Sequence, residues 1–251
     1  MSRSAVLALG WLAGLALCCR PAFGQTGPSI TLHYFERPPF YATTGDGTVS
    51  GLVATPAAQA FARAGIRVAW ELTPASRILS IIKDNSGADC SPGWYQTAER
   101  EAYARFTLPI YHDRPPVALA RADFAVTDGI TARDLLASPR TSLLIKQNFS
   151  HGAYLDALIA AMKPQNIQVV TTEVPAMIKM VHLNRANLII TTEEEVDTLV
   201  KQAGLGIGDF QLLKFPDVPD GERRHIMCSR RVPDDLIRKL NEVIGTRPRP
   251  G

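Results

Sequence analysis

The chain has 251 residues, with 27 Lys and Arg against 24 Asp and Glu. That near-balance leaves no concentrated basic field for a phosphate backbone, so nucleic acid is not expected as a partner. No internal repeat, low-complexity run or long charged block interrupts the chain, and its length suits one large α/β domain or two smaller lobes.

The first element is "MSRSAVLALGWLAGLALCCRPAFG", with Arg3 near the start, an apolar core over 5–17, then Pro21 and a small-residue ending. It reads as a secretory signal peptide over 1–24, cleaved after Gly24, and places the protein in the periplasm. The core is too short for an ordinary membrane span. Cys18 and Cys19 offer a lipoprotein alternative, disfavoured because Leu17 rather than a small residue precedes Cys18. Cleavage removes two arginines and no acidic residue, taking the formal charge from +3 to +1.

Cys90 and Cys228 then remain. In an exported chain an even pair favours one disulfide, two separate buried thiols being the other reading.

Apolar runs alternate with amphipathic ones. A strand is expected over 29–35, a helix over 52–65 ended by Gly65, an alternating strand over 66–72, a helix over 73–85 opened by a Thr73 cap and Pro74, and a strand ending at "GADC". "SPGWYQTAERE" (91–101) reads as a Gly- and Pro-containing loop. The pattern restarts with an extended segment over 115–126, a short helix at 134–139 and a strand at 141–147. Helices follow at 152–163, 174–184 and 192–204, separated by strands at 167–172 and 186–191. The strands at 210–215 and 223–229 and a helix at 233–244 close the chain.

This is the grammar of mainly parallel sheets covered by helices. A Cys90 to Cys228 bond would return the last strand and helix to the first lobe. The expected organisation is therefore first lobe 25–117, second lobe 118–216 and a return segment 217–251. Two crossings, near 115–122 and 214–222, would form a hinge beneath a ligand cleft.

Arg100 lies just beyond "GADC", where an open sheet binds ligands, and a guanidinium there suits two-pronged capture of a carboxylate. Glu99 and Glu101 offer a plain surface salt bridge instead. Trp94 and Tyr95, and Phe35, Phe40 and Tyr41 from another loop at the same edge, suit either a pocket wall or the core.

No catalytic set emerges. The five histidines have no HExxH spacing, Ser150 beside His151 lacks a nucleophile elbow, and "TTEEE" is explained by a helix start without a metal. Neither a phosphate loop nor a dinucleotide fingerprint is present, so no cofactor is expected and a binder is favoured over an enzyme.

Three stretches carry a resemblance. They are "ERPPFY" with "GTVSGL", "ASRILSIIKDNSGAD", and above all "TAEREAYARFTLPIY". In order and spacing they resemble the solute-binding protein family 3, the amino-acid-type extracellular binding proteins of bacterial ABC importers; "PDDLIRKLNEVI" is similar to that family's closing helix. The resemblance spans about 29–245 and is strongest in the first lobe. It implies a two-lobed type II periplasmic-binding-protein fold and a monomer that captures a small anionic or zwitterionic solute for an ABC-type permease.

It also implies that Arg100 grips the ligand carboxylate, that a first-loop aromatic residue (Phe35 or Phe40) covers the ligand, and that Trp94 and Tyr95 line the site. The chain departs from the family pattern at three places. Tyr95 stands five residues before the Arg where a polar residue is usual, Asn148, Phe149 and Ser150 replace a Gly-Thr pair, and Thr192 with Glu193 stands near the usual ammonium-binding Asp. Those departures leave an organic or aromatic acid open as ligand. A periplasmic sensor module, or a dehydratase-like enzyme using Glu193 as an acid, are the alternatives; the sensor reading stands lower because no membrane-spanning segment follows residue 245.

Overall fold

The computed structural model describes residues 29–246. The signal peptide expected over 1–24, Cys18 and Cys19 lie outside them. The chain begins with β1 (Ile30–Tyr34), the short hairpin β2 (Ala42–Thr43) and β3 (Val49–Ser50), α1 (Ala54–Arg63), β4 (Val68–Leu72) and α2 (Ala75–Asp84). Next come β5 (Asp89–Tyr95), the one-turn helix α3 (Ala98–Glu101) and β6 (Ala104–His112). It then builds β7 (Pro116–Arg121), α4 (Ala132–Ala137), β8 (Leu143–Lys146), α5 (Ala153–Ala160), β9 (Ile167–Val170), α6 (Val174–His182) and β10 (Leu188–Thr192). The last elements are α7 (Val196–Gln202), β11 (Phe210–Lys214), β12 (Arg223–Ser229) and α8 (Asp234–Gly245).

These strands make two five-stranded sheets, ordered β4-β1-β5-β12-β6 and β11-β7-β10-β8-β9. β1 runs parallel to β4 and β5, whereas the returning β12 inserts antiparallel between β5 and β6. The result is the two-lobed α/β fold of type II periplasmic binding proteins. Cys90 and Cys228 face each other in the β5–β12 register and are bonded, with Cα atoms 4.0 Å apart. The expected disulfide is therefore present.

The chain passes between the sheets at 113–115 and at 215–222, the first passage being shorter than expected because β7 already begins at Pro116. The two passages run side by side. Asp113 N donates to Glu222 O at 3.0 Å, and His112 Nε2 donates to Gly221 O at 2.6 Å. A Cβ on Gly221 would lie 2.0 Å from Asp113 O, so only glycine permits this approach.

Each lobe has its own core. In the first, Ile30 and Leu32 of β1 pack with Phe61 of α1 and Leu240 of α8. In the second, alternate residues of β10 serve opposite faces: Leu188 and Ile190 meet Leu135 and Leu155, while Ile189 meets Ile178 and Leu199. A strand buried on both faces explains the unbroken apolar run "LII".

Two expected helix starts move. Thr73 does not cap α2, whose N-cap is Pro74 with no side-chain bond. Its hydroxyl is instead 3.0 Å from His33 Nδ1, and His33 Nε2 is 3.1 Å from Asp89 Oδ1. This buried chain ties the start of α2 to β1 and β5, a structural role away from the cleft. The helix expected from Thr192 begins at Val196, because Thr192 still belongs to β10 and Glu193–Glu195 form a 3-10 turn.

Candidate functional site

β5 does not stop at "GADC" but continues to Tyr95, so Trp94 and Tyr95 are strand residues rather than loop residues. The pairing with β1 ends at Cys90 and the β12 register shifts between His225 and Ile226, which tolerates Pro92 inside the strand. Gly93 has a φ of 86°, and a Cβ there would fall 1.7 Å from the Tyr41 hydroxyl. That hydroxyl donates to Pro92 O at 2.9 Å, locking the first loop against β5. Trp94 is buried and donates from Nε1 to Ser91 Oγ at 2.8 Å.

Thr97 caps α3 by accepting from Arg100 N, and this single turn sets the direction of the side chains. Arg100 is 7 % exposed while Glu99 and Glu101 face solvent, so the alternative of a surface salt bridge to either does not hold. The guanidinium lies 5.0 Å from the Trp94 ring centroid and donates to Tyr95 O at 2.9 Å and to Asn148 O at 3.2 Å. The last bond joins the lobes. Burial lowers the Arg100 pKa from its ordinary value, and no carboxylate pairs with it among the described residues.

The other cations at the cleft are paired. Arg37 makes a two-pronged bridge to Glu195, both bonds 2.8 Å, and Thr191 Oγ1 donates to the same carboxylate. Burial disfavours both charges, but their mutual attraction outweighs it, raising the Arg37 pKa and lowering that of Glu195. Arg224 bonds Asp113 Oδ1 at 2.6 Å and Gly93 O at 2.9 Å. Burial pushes the Tyr95 hydroxyl pKa up, and that hydroxyl donates to the same Asp113.

The second lobe supplies the opposite wall. Phe149 reaches across to the first lobe, 6.4 Å from Phe35 and 5.3 Å from the Arg37 guanidinium between ring centroid and partner. Lys146 stands over Phe149 and pairs with Glu173 at 2.6 Å. Ser150 lines the cleft, though its hydroxyl donates to Asp156. His151 Nε2 and Thr192 Oγ1 are sealed from solvent and have no hydrogen-bond partner among the described residues. Both residues line the cleft between the lobes.

Of the residues singled out from sequence, Phe35, Tyr41, Trp94, Tyr95, Arg100, Ser150 and Thr192 line this cleft. Glu193 and Phe40 do not. Glu193 sits on the 3-10 turn after β10 and bonds Lys214 at 2.8 Å on the surface, so the acid that faces inward is Glu195, two residues on. Phe40 is fully buried in the first-lobe core, 4.1 Å below Arg224.

Sequence reading missed Arg37, Lys146, His151, Glu195 and Arg224 as wall residues, and gave Phe149 only as part of the segment that replaces a Gly-Thr pair. Arg37 stood inside the "ERPPFY" element and Phe149 and His151 in "NFSHGAY", but their inward direction depends on the meeting of two lobes. Arg37 and Glu195 are 158 positions apart, and no local spacing signals that bridge.

No protein-family model matches the chain, and no curated protein sequence matches it. Solved structures do. An ancestral arginine-binding protein bound to glutamine has a TM-score of 0.65 at 16 % identity, over 87 % of this chain and 91 % of that one. The arginine-, lysine-, histidine-binding protein ArtJ from Geobacillus stearothermophilus has a TM-score of 0.68 at 16 % identity, over 87 % and 88 %. A histidine-bound ABC uptake transporter substrate binding protein from Streptococcus pneumoniae has a TM-score of 0.65 at 18 % identity, over 87 % and 86 %. At these identities the likeness is one of fold. Among the described residues there is no cluster of ligands suited to a metal ion and no helix long and apolar enough to cross a membrane.

Proposed function

We propose that this protein captures a small carboxylate-bearing solute between its lobes in the periplasm and delivers it, as a monomer, to an ABC-type permease. The observation that carries this reading is Arg100: a buried guanidinium at the wall of an interlobe cleft, stacked near Trp94 and without a carboxylate of its own. A buried cation is costly unless an anion meets it, and a ligand carboxylate supplies one in two-pronged geometry. The aromatic walls formed by Phe35, Trp94 and Phe149 suit the body of such a solute. Similar solved structures described as binding arginine, histidine or glutamine support a ligand of that size. The signal-like first 24 residues support export.

The test is a screen of small carboxylic and amino acids by thermal shift on the purified mature chain, followed by calorimetry on wild type and Arg100→Ala. Capture predicts stabilisation by at least one carboxylate and its loss in the variant. Stabilisation by uncharged solutes alone, unaffected by the variant, would refute the reading.

A further inference from the structure

The capture reading leaves the ligand's second polar group open, and the cleft constrains it. Four cations line the cleft, Arg37, Arg100, Lys146 and Arg224; three of them are already paired, with Glu195, Glu173 and Asp113, and among the described residues Glu195 is the one carboxylate that lines the cleft itself. Both Glu195 oxygens accept from Arg37, and one also accepts from Thr191 Oγ1. An incoming ammonium would have to displace a guanidinium from a fully buried carboxylate, leaving a buried cation without its partner. The wall does hold unfilled hydrogen-bonding capacity, but it is neutral. It consists of Thr192 Oγ1 and His151 Nε2, and burial lowers the His151 pKa so that the ring is uncharged at neutral pH.

We infer that the cleft selects a carboxylate whose second polar group is a neutral oxygen, as in a 2-hydroxy or 2-oxo acid, and rejects the corresponding 2-amino acid. The inference rests on the capture reading and deepens it. Arg100 holds the carboxylate. The hydroxyl or keto oxygen meets Thr192 Oγ1 and His151 Nε2, either of which can donate, and the hydroxyl can also donate in return. The Arg37–Glu195 bridge makes the selection, because it occupies the acid that an ammonium would need.

The experiment uses the mature chain and three matched series: lactate, pyruvate and alanine; 2-hydroxyglutarate, 2-oxoglutarate and glutamate; phenyllactate, phenylpyruvate and phenylalanine. Calorimetry in the series that binds is expected to give the hydroxy or oxo acid a Kd at least tenfold below that of the amino acid. Thr192→Val should shrink that ratio, and Arg37→Gln, which leaves Glu195 without its bridge, should shrink it from the other side by admitting the amino acid. Should Arg37→Gln fail to fold, the wild-type ratio decides alone. An amino acid that binds as tightly as its hydroxy and oxo partners overturns this inference and leaves solute capture standing. Silence in all three series overturns the inference; silence across the wider carboxylate screen removes the capture reading with it.

Discussion

Arg100 carries opposite consequences for folding and for binding. Its guanidinium donates to two backbone carbonyls, and its charge is disfavoured by burial. Arg100→Ala should therefore leave the fold intact with little net change in stability, because the loss of two bonds from a charged donor is offset by relief of a buried charge. The same change should weaken an anionic ligand by about 2–5 kcal/mol, as truncation of a buried charged partner does, and Arg100→Lys should recover only part because the flat two-pronged contact is gone. Paired urea melts and calorimetry separate the two effects, and equal affinities in wild type and Arg100→Ala would contradict the assignment. The acid-side stability follows from two other residue types. Burial first of all lowers the pKa of His151 and His225 below the ordinary 6.5. Asp156 and Glu195 oppose that shift at His151 while Arg37 adds to it; at His225 the Thr107 carbonyl opposes it and Arg223 adds. The unfolded chain thus binds protons that the fold refuses, so their contribution is present above pH 6.5 and is lost as pH falls below it toward the lowered values. Glu195, held below the ordinary 4.5 by Arg37 against the pull of burial, adds a separate loss below pH 4.5. Urea midpoints measured from pH 8 to 3 should decline in these two windows, and His151→Gln should flatten the first.

Among the elements, β5 joins stability to site-building. It holds Cys90, the left-handed Gly93, Trp94 and Tyr95 within seven residues. The bond to Cys228 closes a loop of 138 positions and pins β12 beside β5. Replacing both cysteines by Ser should cost roughly 2–4 kcal/mol by urea melt, within the usual range for a native bond; an unchanged midpoint would show that the β5–β12 ladder holds without it. Gly93→Ala should also destabilise, since it combines a left-handed φ with a collision at Tyr41. These elements also show where sequence reading works. Hydrophobic alternation placed most strands and helices within a few residues, and two cysteines in an exported chain pointed to their bond. Reading 91–101 as a loop failed, because proline and glycine argue against a strand until β12, more than 120 positions later, supplies the pairing. Arg100 was legible because its residue type and its place beyond a strand agreed; Glu195 was not, because the length of β10 and the 3-10 turn decide which of three consecutive glutamates faces inward.

Across the whole molecule, the contacts among the described residues that hold the lobes closed include the Arg37–Glu195 bridge, Arg37 over the Phe149 ring, Arg100 to Asn148 O, the Phe35–Phe149 ring contact, and Tyr111 to Glu194 at 3.2 Å. Only the first places full opposite charges in a buried setting, and breaking it on one side leaves an uncompensated charge worth about 3–5 kcal/mol in a closed cleft. Opening the lobes lets water reach Glu195 and relieves that cost, so Arg37→Ala should shift the population toward an open form rather than unfold either core. The two passages at 113–115 and 215–222 give the motion its axis, with Gly221 packed on Asp113 O. Small-angle scattering of the ligand-free protein should show a larger radius of gyration for Arg37→Ala than for wild type, while the urea midpoints of the two lobes stay close to wild type. Arg37→Ala with Glu195→Ala removes both charges, so this double variant should lie nearer wild type in radius. Equal radii for all three proteins would mean that ring contacts and the paired passages hold the cleft shut, and that the bridge serves selection alone.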